Sequence, residues 1–483
     1  RIVRPCMDES STYHKELPEQ QYRLYNRNKK LFALDLKTPE GKAQAETLIE
    51  NADVLIENFR PGVMKKLGLD YAKVKKKNSR LIYLSLPGFA STDEERAHIQ
   101  AWEGIVGAAA GLYMEANIAR KPLGYPPLYT SIPICSSFGA VHGAIAVMSA
   151  LLAREDDGFG TVLEVPLVDA GLSSCTDRHI LSVLGGPFQH PDYLRAVSGH
   201  APKLPRELDS FVQHYSYSSQ DTAQTQLKKL SEATCPYFLS SDDKKMSFAL
   251  AKPWHAERFY KALGIYNTLI SEGFVNKGAW EKDSLGNNLT ASYSLAGQLS
   301  PERAHRVAQL TRDVLQTKCC DHWEDIMETI GVPCATIRTR DEWLSLGPLR
   351  KSGLFTELDD GKSQLTVPGR IADISGPEGS LISISPREAE IIEEAVAVSL
   401  FKSDNVTQTN TSEKPSVKRK GDLLKGKKVL DLCSIVAGPN ASHTLAQYGA
   451  EVIRLEPPQT FNLPVHLICC LEINQGKRSI ILD

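Results

Sequence analysis

Evenly spaced cysteine pairs, an excess of positive charge and a metal-binding motif are all lacking in this sequence of 483 residues. Its 10 cysteines include no C-x-x-C pair, which argues against a zinc site or a disulfide framework and favours a reduced, intracellular chain. The 56 basic and 58 acidic residues leave a net charge of −2, so bulk charge does not indicate nucleic-acid binding. We therefore expect a cytoplasmic protein without a metal and without a nucleic-acid partner.

Charged residues are also absent from the longest apolar stretch, SIPICSSFGAVHGAIAVMSALLA, residues 131–153. A membrane-spanning helix needs about 20 apolar residues, so the stretch is long enough to be considered. A proline, two serines and a histidine interrupt it, however, and small residues dominate the rest. We favour a buried core helix and expect no membrane partner.

The clearest repeating pattern covers residues 31–86, where apolar strands alternate with helices. LFALDL predicts a strand, and TPEGKAQAETLIENA predicts a helix with Thr38 as N-cap and Pro39 at the first helical position. DVLIEN and RLIYLSL predict two more strands, with short helical pieces between them. This alternation is typical of parallel βαβ units, so we predict an α/β, Rossmann-like large domain.

The pattern changes after the first 225 residues. CPYFLSSDDKKMSFALA predicts a hairpin, and HWEDIMETIGVPCATIRTRDEWL predicts a helix, a strand and a helix. We assign residues 1–225 to the large domain, 226–345 to a small α+β domain and 346–401 to a return into the large domain. The polar stretch 402–426 is predicted to be a linker.

Two ten-residue segments suggest an internal duplication. NRNKKLFALD (residues 26–35) and NQGKRSIILD (residues 474–483) carry asparagine, lysine, a second basic residue and aspartate at the same spacing. We therefore expect residues 427–483 to be the truncated start of a second copy. The chain does not begin with methionine, and we expect it to be a piece of a longer protein.

The segment before the second repeat predicts a new βαβ opening. KKVLDLCSIVAGPNASHTLAQYGAEVIRLEPP, residues 427–458, predicts a strand, a tight turn at Gly438-Pro439, a helix and a strand. The first copy lacks this opening unit. Residues 427–456 would therefore complete the sheet of the first copy, as in a circular permutation.

These segments resemble the family III CoA-transferases, the group of carnitine CoA-transferase, formyl-CoA transferase and α-methylacyl-CoA racemase. VLDLCSIVAGPNASHTLAQYGAEVIRLEPP resembles the opening of that family, and residues 26–89 resemble its next section. ALLAREDDGFGTVLEVPLVDAG and WEDIMETIGVPCATIRTRDEWL resemble later sections. The resemblance implies the family III CoA-transferase fold, with coenzyme A as acyl-CoA and a small carboxylic acid as substrates.

The resemblance also implies residues that contact CoA. ENFRPG, residues 57–62, follows a predicted strand, where open α/β sheets bind ligands. Asn58 can hydrogen-bond, Phe59 can cover an adenine and Arg60 can meet a phosphate. Pro61 would start a helix whose N-terminus favours anions, although a solvated turn is the alternative. The other candidates, which ordinary surface charge and turn structure also explain, are Lys29, Lys30, Gly438, Pro439, Arg454, Lys477 and Arg478.

The first copy departs from the family at its catalytic residue. Family chemistry uses an aspartate, which attacks the thioester, forms a mixed anhydride and then an aspartyl-CoA thioester. Its place falls on Ser136, and no acidic residue lies between Glu115 and Arg154. A serine ester is too stable to return an acyl group readily to sulfur, so serine is no substitute. Asp169 is a weak alternative, because that position is mostly structural in the family.

We therefore predict a tandem acyl-CoA:carboxylate CoA-transferase with a catalytically degenerate first copy. It resembles tandem enzymes of the dimethylsulfoniopropionate CoA-transferase/lyase type, and its catalytic aspartate would follow Asp483. The first copy would pair with the second copy, or the chain would form a homodimer. A non-catalytic CoA-binding scaffold is the alternative. A racemase is disfavoured, because the histidine of its proton pair falls near Trp102 and the aspartate on Ser136.

Overall fold

The structure, a computed structural model, describes parts of both predicted copies and of the small domain. The described residues are 25–115, 129–174, 237–250, 252–277, 287–289, 301–347, 355–359, 364–369, 372, 374–375, 381–382, 390–391, 393, 396, 399, 422–434, 436–456 and 473–482. The boundary predicted near residue 225 and most of the linker predicted for 402–426 lie outside these residues. The domain bounds therefore stay a prediction.

The described residues form both helices and strands. The helices are α1 (Pro39–Glu50), α2 (Val63–Leu67), α3 (Tyr71–Val74), α4 (Glu103–Ala109), α5 (Leu112–Glu115), α6 (Ile134–Asp157), α7 (Leu167–Ser173), α8 (Pro253–Ala262), α9 (Tyr266–Ser271), α10 (Pro301–Leu315), α11 (Cys320–Thr329), α12 (Arg340–Ser345) and α13 (Ala437–Gln447). The strands are β1 (Lys30–Leu31), β2 (Val54–Glu57), β3 (Ile82–Ser85), β4 (Val162–Glu164), β5 (Tyr237–Leu239), β6 (Lys245–Phe248), β7 (Cys334–Thr336), β8 (Phe355–Asp359), β9 (Gln364–Pro368), β10 (Ile374–Ser375), β11 (Leu381–Ile382), β12 (Glu390–Ile391), β13 (Lys428–Asp431), β14 (Glu451–Glu456) and β15 (Lys477–Ile481).

The chain divides into two compact units. The first consists of residues 1–84, 157–163 and 338–417, and the second of residues 85–156, 164–337 and 418–483.

The first unit is built around the sheet of order β2-β3-β4 and the helices that precede β3. The α1 helix begins as predicted, because Thr38 Oγ1 accepts the Gly41 N–H at 3.0 Å and Pro39 occupies the first turn. One face of α1 packs with Leu69 and Leu81 into a buried cluster. Burial of such side chains supplies most of the free energy that holds a short helix in place.

The longest helix of the second unit, α6, packs through small residues. Its buried positions include Gly139 and Gly143, and a Cβ at Gly139 would meet the Leu167 side chain of α7. The opposite face exposes larger side chains, with Val141 59% and Met148 60% exposed. The predicted buried core helix is therefore buried on one face alone. By length and composition, α6 is the one helix of the described residues that could cross a membrane.

The small α+β region has a core of its own. Strands β5, β6 and β7 form an antiparallel sheet, which confirms the predicted hairpin and the helix, strand and helix that follow. Phe259 and Tyr260 of α8 and Trp323 of α11 are buried with Met246 of β6 in one cluster. Aromatic and aliphatic side chains of these elements thus exclude water from a single interior.

A third sheet follows the predicted linker. Strands β13, β14 and β15 are parallel and pair in that order, and α13 connects the first two. The predicted helix stop at Gly449 is confirmed by its φ of 92°, which favours glycine. The hypothesis that residues 427–456 complete the first sheet is wrong for the described residues, because these strands form a sheet of their own.

Three local predictions are also wrong. Of the strand predicted from LFALDL, residues 31–36, Leu31 alone belongs to β1, which pairs with β12. Gly438 and Pro439 lie in the first turn of α13 instead of forming a tight turn before it. Pro61 does not start a helix, because α2 begins at Val63 and has 5 residues.

We expect Asp242 to stabilise the small α+β region in a pH-dependent way. A hydrogen bond from Ser240 Oγ (2.6 Å) and others from Cys320 hold the pKa of Asp242 at about 2, below the ordinary 3.8. The stability from this carboxylate is complete above the pKa of the unfolded chain and is lost as the pH falls through about 2. Asp242→Asn should therefore lower the free energy of unfolding in urea near neutral pH and flatten its decline in acid.

The matched control is Asp243→Asn, since the carboxylate of Asp243 is exposed on the same turn. Asparagine also tolerates the left-handed φ of 58° at this position. The control variant should follow the unchanged protein at every pH. Equal acid sensitivity of the two variants would contradict the assignment.

Candidate functional site

The two repeated segments adopt the same turn. In residues 26–29 and in residues 474–477, the fourth N–H donates to the first carbonyl, at 3.1 and 3.3 Å. The third residue is left-handed in both, Asn28 with φ 61° and Gly476 with φ 76°. Asparagine and glycine are the residues that adopt this conformation most readily. A strand begins at or just after the lysine of each turn, so the sequence repeat has a shared local structure.

The lysine of the second turn is buried among oxygen atoms. Lys477 Nζ donates to Asp431 Oδ2 at 2.9 Å, to the Pro439 carbonyl at 2.7 Å and to Asn474 Oδ1 at 3.0 Å. Its side chain is 2% exposed, and that of Asp431 is fully buried. These contacts join the end of β13, the first turn of α13 and the turn before β15.

Hydrogen bonds keep the buried carboxylate charged. Burial by itself raises the pKa of Asp431, but hydrogen bonds from Ser442 Oγ (2.6 Å), the Cys433 N–H (2.9 Å) and Lys477 outweigh it and hold the pKa at about 2. Burial lowers the pKa of Lys477, and Asp431 opposes that shift. A buried pair of this kind is stable because each charge has several partners.

Arg454 lies beside this pair with unused hydrogen-bonding capacity. It pairs in register with Asp431, so both side chains lie on the α13 face of the sheet. Arg454 is 5% exposed. Among the described residues its Nη1 has no hydrogen-bond partner, and its Nε lies 3.2 Å from Glu456 Oε1 without hydrogen-bond geometry. A buried guanidinium in this state favours an anionic ligand.

The helix α13 starts close to this cluster. A Cβ at Gly438 would collide with the Cys433 side chain, so glycine is needed where the helix begins against β13. The first N–H groups of an 11-residue helix have no partner within the helix and favour negative charge. Arg478 lies on the opposite face of the sheet, exposed and 3.1 Å from Glu451 Oε1.

The predicted CoA-contacting residues of the first copy lie on the surface of their unit. Asn58, Phe59 and Arg60 follow β2 consecutively and are all exposed. The Phe59 N–H donates to Glu57 Oε2 at 2.7 Å, which fixes the turn. Lys29 Nζ donates to the Tyr25 carbonyl at 2.6 Å, and Lys30 is exposed at the start of β1.

Ser136, at the predicted position of the family aspartate, is bound to a carboxylate that the sequence analysis missed. Ser136 Oγ donates to Glu103 Oε2 at 2.6 Å, and the N–H groups of Cys135 and Ser136 donate to the same carboxylate at 2.9 Å each. Glu103, the first residue of α4, thus caps the N-terminus of α6 from 33 positions upstream. Neither spacing nor pattern in the sequence reveals a cap at that distance.

Aromatic side chains surround the same helix start. Trp102, at the predicted place of the family histidine, is 76% exposed and cannot exchange a proton as an imidazole does. The rings of Tyr113 and Tyr129 lie 5.3 Å apart. Burial, followed by the nearby Tyr129 and Glu103, raises the pKa of Tyr113, so its hydroxyl stays protonated.

The weaker catalytic candidate, Asp169, lies on a different helix, α7. Asp169 is exposed in the first turn of that helix, and partial burial together with the carboxylates of Glu164 and Asp93 raises its pKa. His142 of α6 is half-buried with its Nε2 3.2 Å from Ser173 Oγ, and burial lowers its pKa. No cluster of three or more potential metal ligands is found among the described residues.

We expect removal of the Glu103 carboxylate to weaken α6 at its N-terminus. Glu103→Gln leaves one acceptor oxygen for three donors, so the free energy of unfolding should fall by about 1 kcal/mol. Chemical denaturation measures this change. Glu155→Gln, at an exposed position of the same helix, is the control and should have no effect. Equal stability of the two variants would contradict the capping role.

Comparisons with known proteins identify the family of the chain. A family model of CoA-transferase family III matches residues 4–202 and 424–483. The CoA-transferase/lyase DddD of Marinomonas sp. (strain MWYL1) is 28% identical over 475 residues, a match that covers 95% of this chain and 54% of the relative. Formyl-CoA:oxalate CoA-transferase of Escherichia coli O6:H1 is 30% identical over 212 residues, 42% of this chain and 49% of the relative. The chain spans about half the length of the curated relatives it matches.

Solved structures show the same fold. Rv3272 from Mycobacterium tuberculosis has a TM-score of 0.55 and 18% identity, covering 78% of this chain and 85% of that protein. A CAIB/BAIF family protein from Brucella suis has a TM-score of 0.52 and 20% identity, covering 78% of this chain and 83% of that protein. At these identities the structures support the fold alone. Because the family model matches more than half of the residues, the chain belongs to CoA-transferase family III.

Proposed function

We propose that the chain is the first copy, and the opening of a second copy, of a tandem acyl-CoA:carboxylate CoA-transferase. The first copy binds CoA and supports its partner, and the second copy carries the catalytic aspartate. The overall reaction moves CoA from an acyl-CoA donor to a small carboxylic acid through an aspartyl-CoA intermediate. We place this reaction inside the cell.

The observation that carries the proposal is the hydrogen bond from the Ser136 hydroxyl to the Glu103 carboxylate. A transferase of this family needs an oxygen that exchanges acyl groups with sulfur at nearly equal energy, and a carboxylate meets this need. An ester on Ser136 Oγ would be too stable to return its acyl group to the sulfur of CoA. Every 1.4 kcal/mol by which the free energy of the ester lies below that of the thioester slows this step about tenfold. The Glu103 carboxylate accepts hydrogen bonds from three donors at the N-terminus of α6, so it acts as a cap.

The tandem arrangement is supported by two independent features. The turn at residues 26–29 recurs at residues 474–477 with the same hydrogen bond and the same left-handed third residue. The match to DddD covers nearly all of this chain but 54% of that relative. The resemblance to tandem enzymes of this type supports dimethylsulfoniopropionate as the acid that accepts CoA.

Two groups of residues are proposed to contact CoA. In the first copy, Asn58 and Arg60 offer polar contacts to the pyrophosphate, and Phe59 offers a face to the adenine. In the second copy, the buried Arg454 and the start of α13 at Gly438 and Pro439 favour a phosphate. Lys29, Lys30 and Arg478 add positive charge on the surfaces that the ligand approaches.

A non-catalytic CoA-binding scaffold remains the second candidate for this part of the protein, because Ser136 replaces the acid. In it the first copy takes the place of one subunit of a two-subunit transferase. A tandem protein that is a CoA-transferase forms a covalent enzyme–CoA intermediate, whereas one that is a scaffold does not.

Covalent trapping in the tandem protein tests the proposal. The protein is incubated with an acyl-CoA and quenched with hydroxylamine or borohydride, which modify an activated carboxyl group. We expect one modified residue, located by mass spectrometry outside residues 1–483. Ser136→Ala and Asp169→Asn should leave the amount of modified protein unchanged. Modification of any residue within 1–483 would refute the degenerate first copy, and no modification at all would favour the scaffold.

A further inference from the structure

We propose that Lys477 is a positioning residue that holds the start of α13, and that Arg454 is the cation that meets the anionic ligand. This inference rests on the proposed CoA site of the second copy. It assigns different roles to Lys477 and Arg454, which the sequence predicts equally as contacts of CoA.

The ammonium group of Lys477 has no proton left for a ligand. An ammonium carries three N–H donors, and Asp431, the Pro439 carbonyl and Asn474 accept them at 2.7 to 3.0 Å. The side chain is 2% exposed, so a phosphate could reach it only after a charged hydrogen bond breaks. Removing one partner of such a buried pair leaves the other charge without compensation.

The three acceptors belong to three different elements. Asp431 ends β13, Pro439 lies in the first turn of α13, and Asn474 begins the turn that leads into β15. A second contact ties the same parts, since His443 Nδ1 of α13 lies 3.0 Å from the Gln475 carbonyl. Lys477 therefore fixes where the N-terminal N–H groups of α13 lie relative to the sheet.

Arg454 has the opposite character, because it is buried but incompletely paired. Its Nη1 has no hydrogen-bond partner among the described residues, and the one carboxylate near its Nε, that of Glu456, lacks hydrogen-bond geometry. It lies on the same face of the sheet as Asp431 and acts electrostatically on Lys477, which is hydrogen-bonded to the first turn of α13. An anion there would satisfy the guanidinium and the first N–H groups of α13 together.

The experiment measures CoA binding locally in the purified 483-residue chain. Cys433 is exposed at the start of α13, so its alkylation by iodoacetamide, mapped by mass spectrometry, reports occupancy of this site separately from the first copy. CoA is titrated at several salt concentrations. A residue that contacts a phosphate contributes to the salt dependence of the dissociation constant, whereas a positioning residue does not.

Two double variants replace both members of the Lys477–Asp431 ion pair, so that no buried charge is left without its partner. Lys477→Met with Asp431→Asn removes the donor to Pro439, and we expect about tenfold weaker CoA binding with an unchanged salt dependence. Lys477→Gln with Asp431→Asn retains a neutral donor, and we expect binding within about threefold of the unchanged chain. Arg454→Gln should weaken binding and flatten the salt dependence. The control Lys425→Gln, at an exposed position before β13, should leave protection of Cys433 unchanged.

Three results would overturn the inference. Equal flattening of the salt dependence by the Lys477 variants and by Arg454→Gln would make Lys477 a phosphate ligand. Equal binding by both double variants and the unchanged chain would show that Lys477 positions nothing. Failure of CoA to protect Cys433 in the unchanged chain would remove the proposed CoA site itself, which is a different outcome from the first two.

Discussion

The carboxylate of Glu103 determines which side chains fit at position 136. It receives two backbone N–H groups and one hydroxyl at the N-terminus of α6, at 2.6 to 2.9 Å. These donors satisfy groups that every helix leaves without intrahelical partners. A side chain at position 136 that donates a hydrogen bond to Glu103 fits here. A carboxylate at position 136 would instead lie next to the Glu103 carboxylate and be repelled by its like charge. The Ser136 hydroxyl therefore fits this position as a hydrogen-bond donor to the capping carboxylate.

The unit of β13, α13, β14 and β15, the proposed second copy, has a different arrangement of charge. Asp431 and Lys477 are buried together, and their hydrogen bonds join two strands and the start of α13. Arg454, beside them, retains a guanidinium nitrogen without a partner among the described residues. The start of α6 is thus satisfied by Glu103, whereas Arg454 beside α13 is paired in charge with Glu456 but has a guanidinium nitrogen without a hydrogen-bond partner among the described residues.

Local patterns in the sequence predicted most of the elements. The cap at Thr38 and the helix stop at Gly449 follow from the chemistry of single residues, and both are confirmed. The hairpin of β5 and β6 and the fresh βαβ unit after the linker also follow from periodicity and turn residues. The predictions failed where packing against other parts of the chain decides the local structure. At Gly438-Pro439 a tight turn was predicted, but both residues belong to the first turn of α13.

The site contacts could not be predicted, because they join residues far apart in the chain. Glu103 reaches Ser136 across 33 positions, and Lys477 reaches Asp431 across 46. Charge alone made Lys477 and Arg454 equivalent candidates for phosphate binding. Burial and hydrogen-bond partners distinguish them, and these arise from the packing of α13 on the sheet. The assigned contacts of the first copy, Asn58 to Arg60, stay predictions.

CoA exchange by the 483-residue chain alone tests the central claim most directly. The purified chain is given acetyl-CoA and an isotopically labelled carboxylic acid, and formation of the labelled acyl-CoA is followed by mass spectrometry. The account predicts no exchange above the uncatalysed background, for the unchanged chain and for Ser136→Ala alike. Exchange by the unchanged chain that a single substitution such as Glu103→Gln or Ser136→Ala abolishes would contradict it.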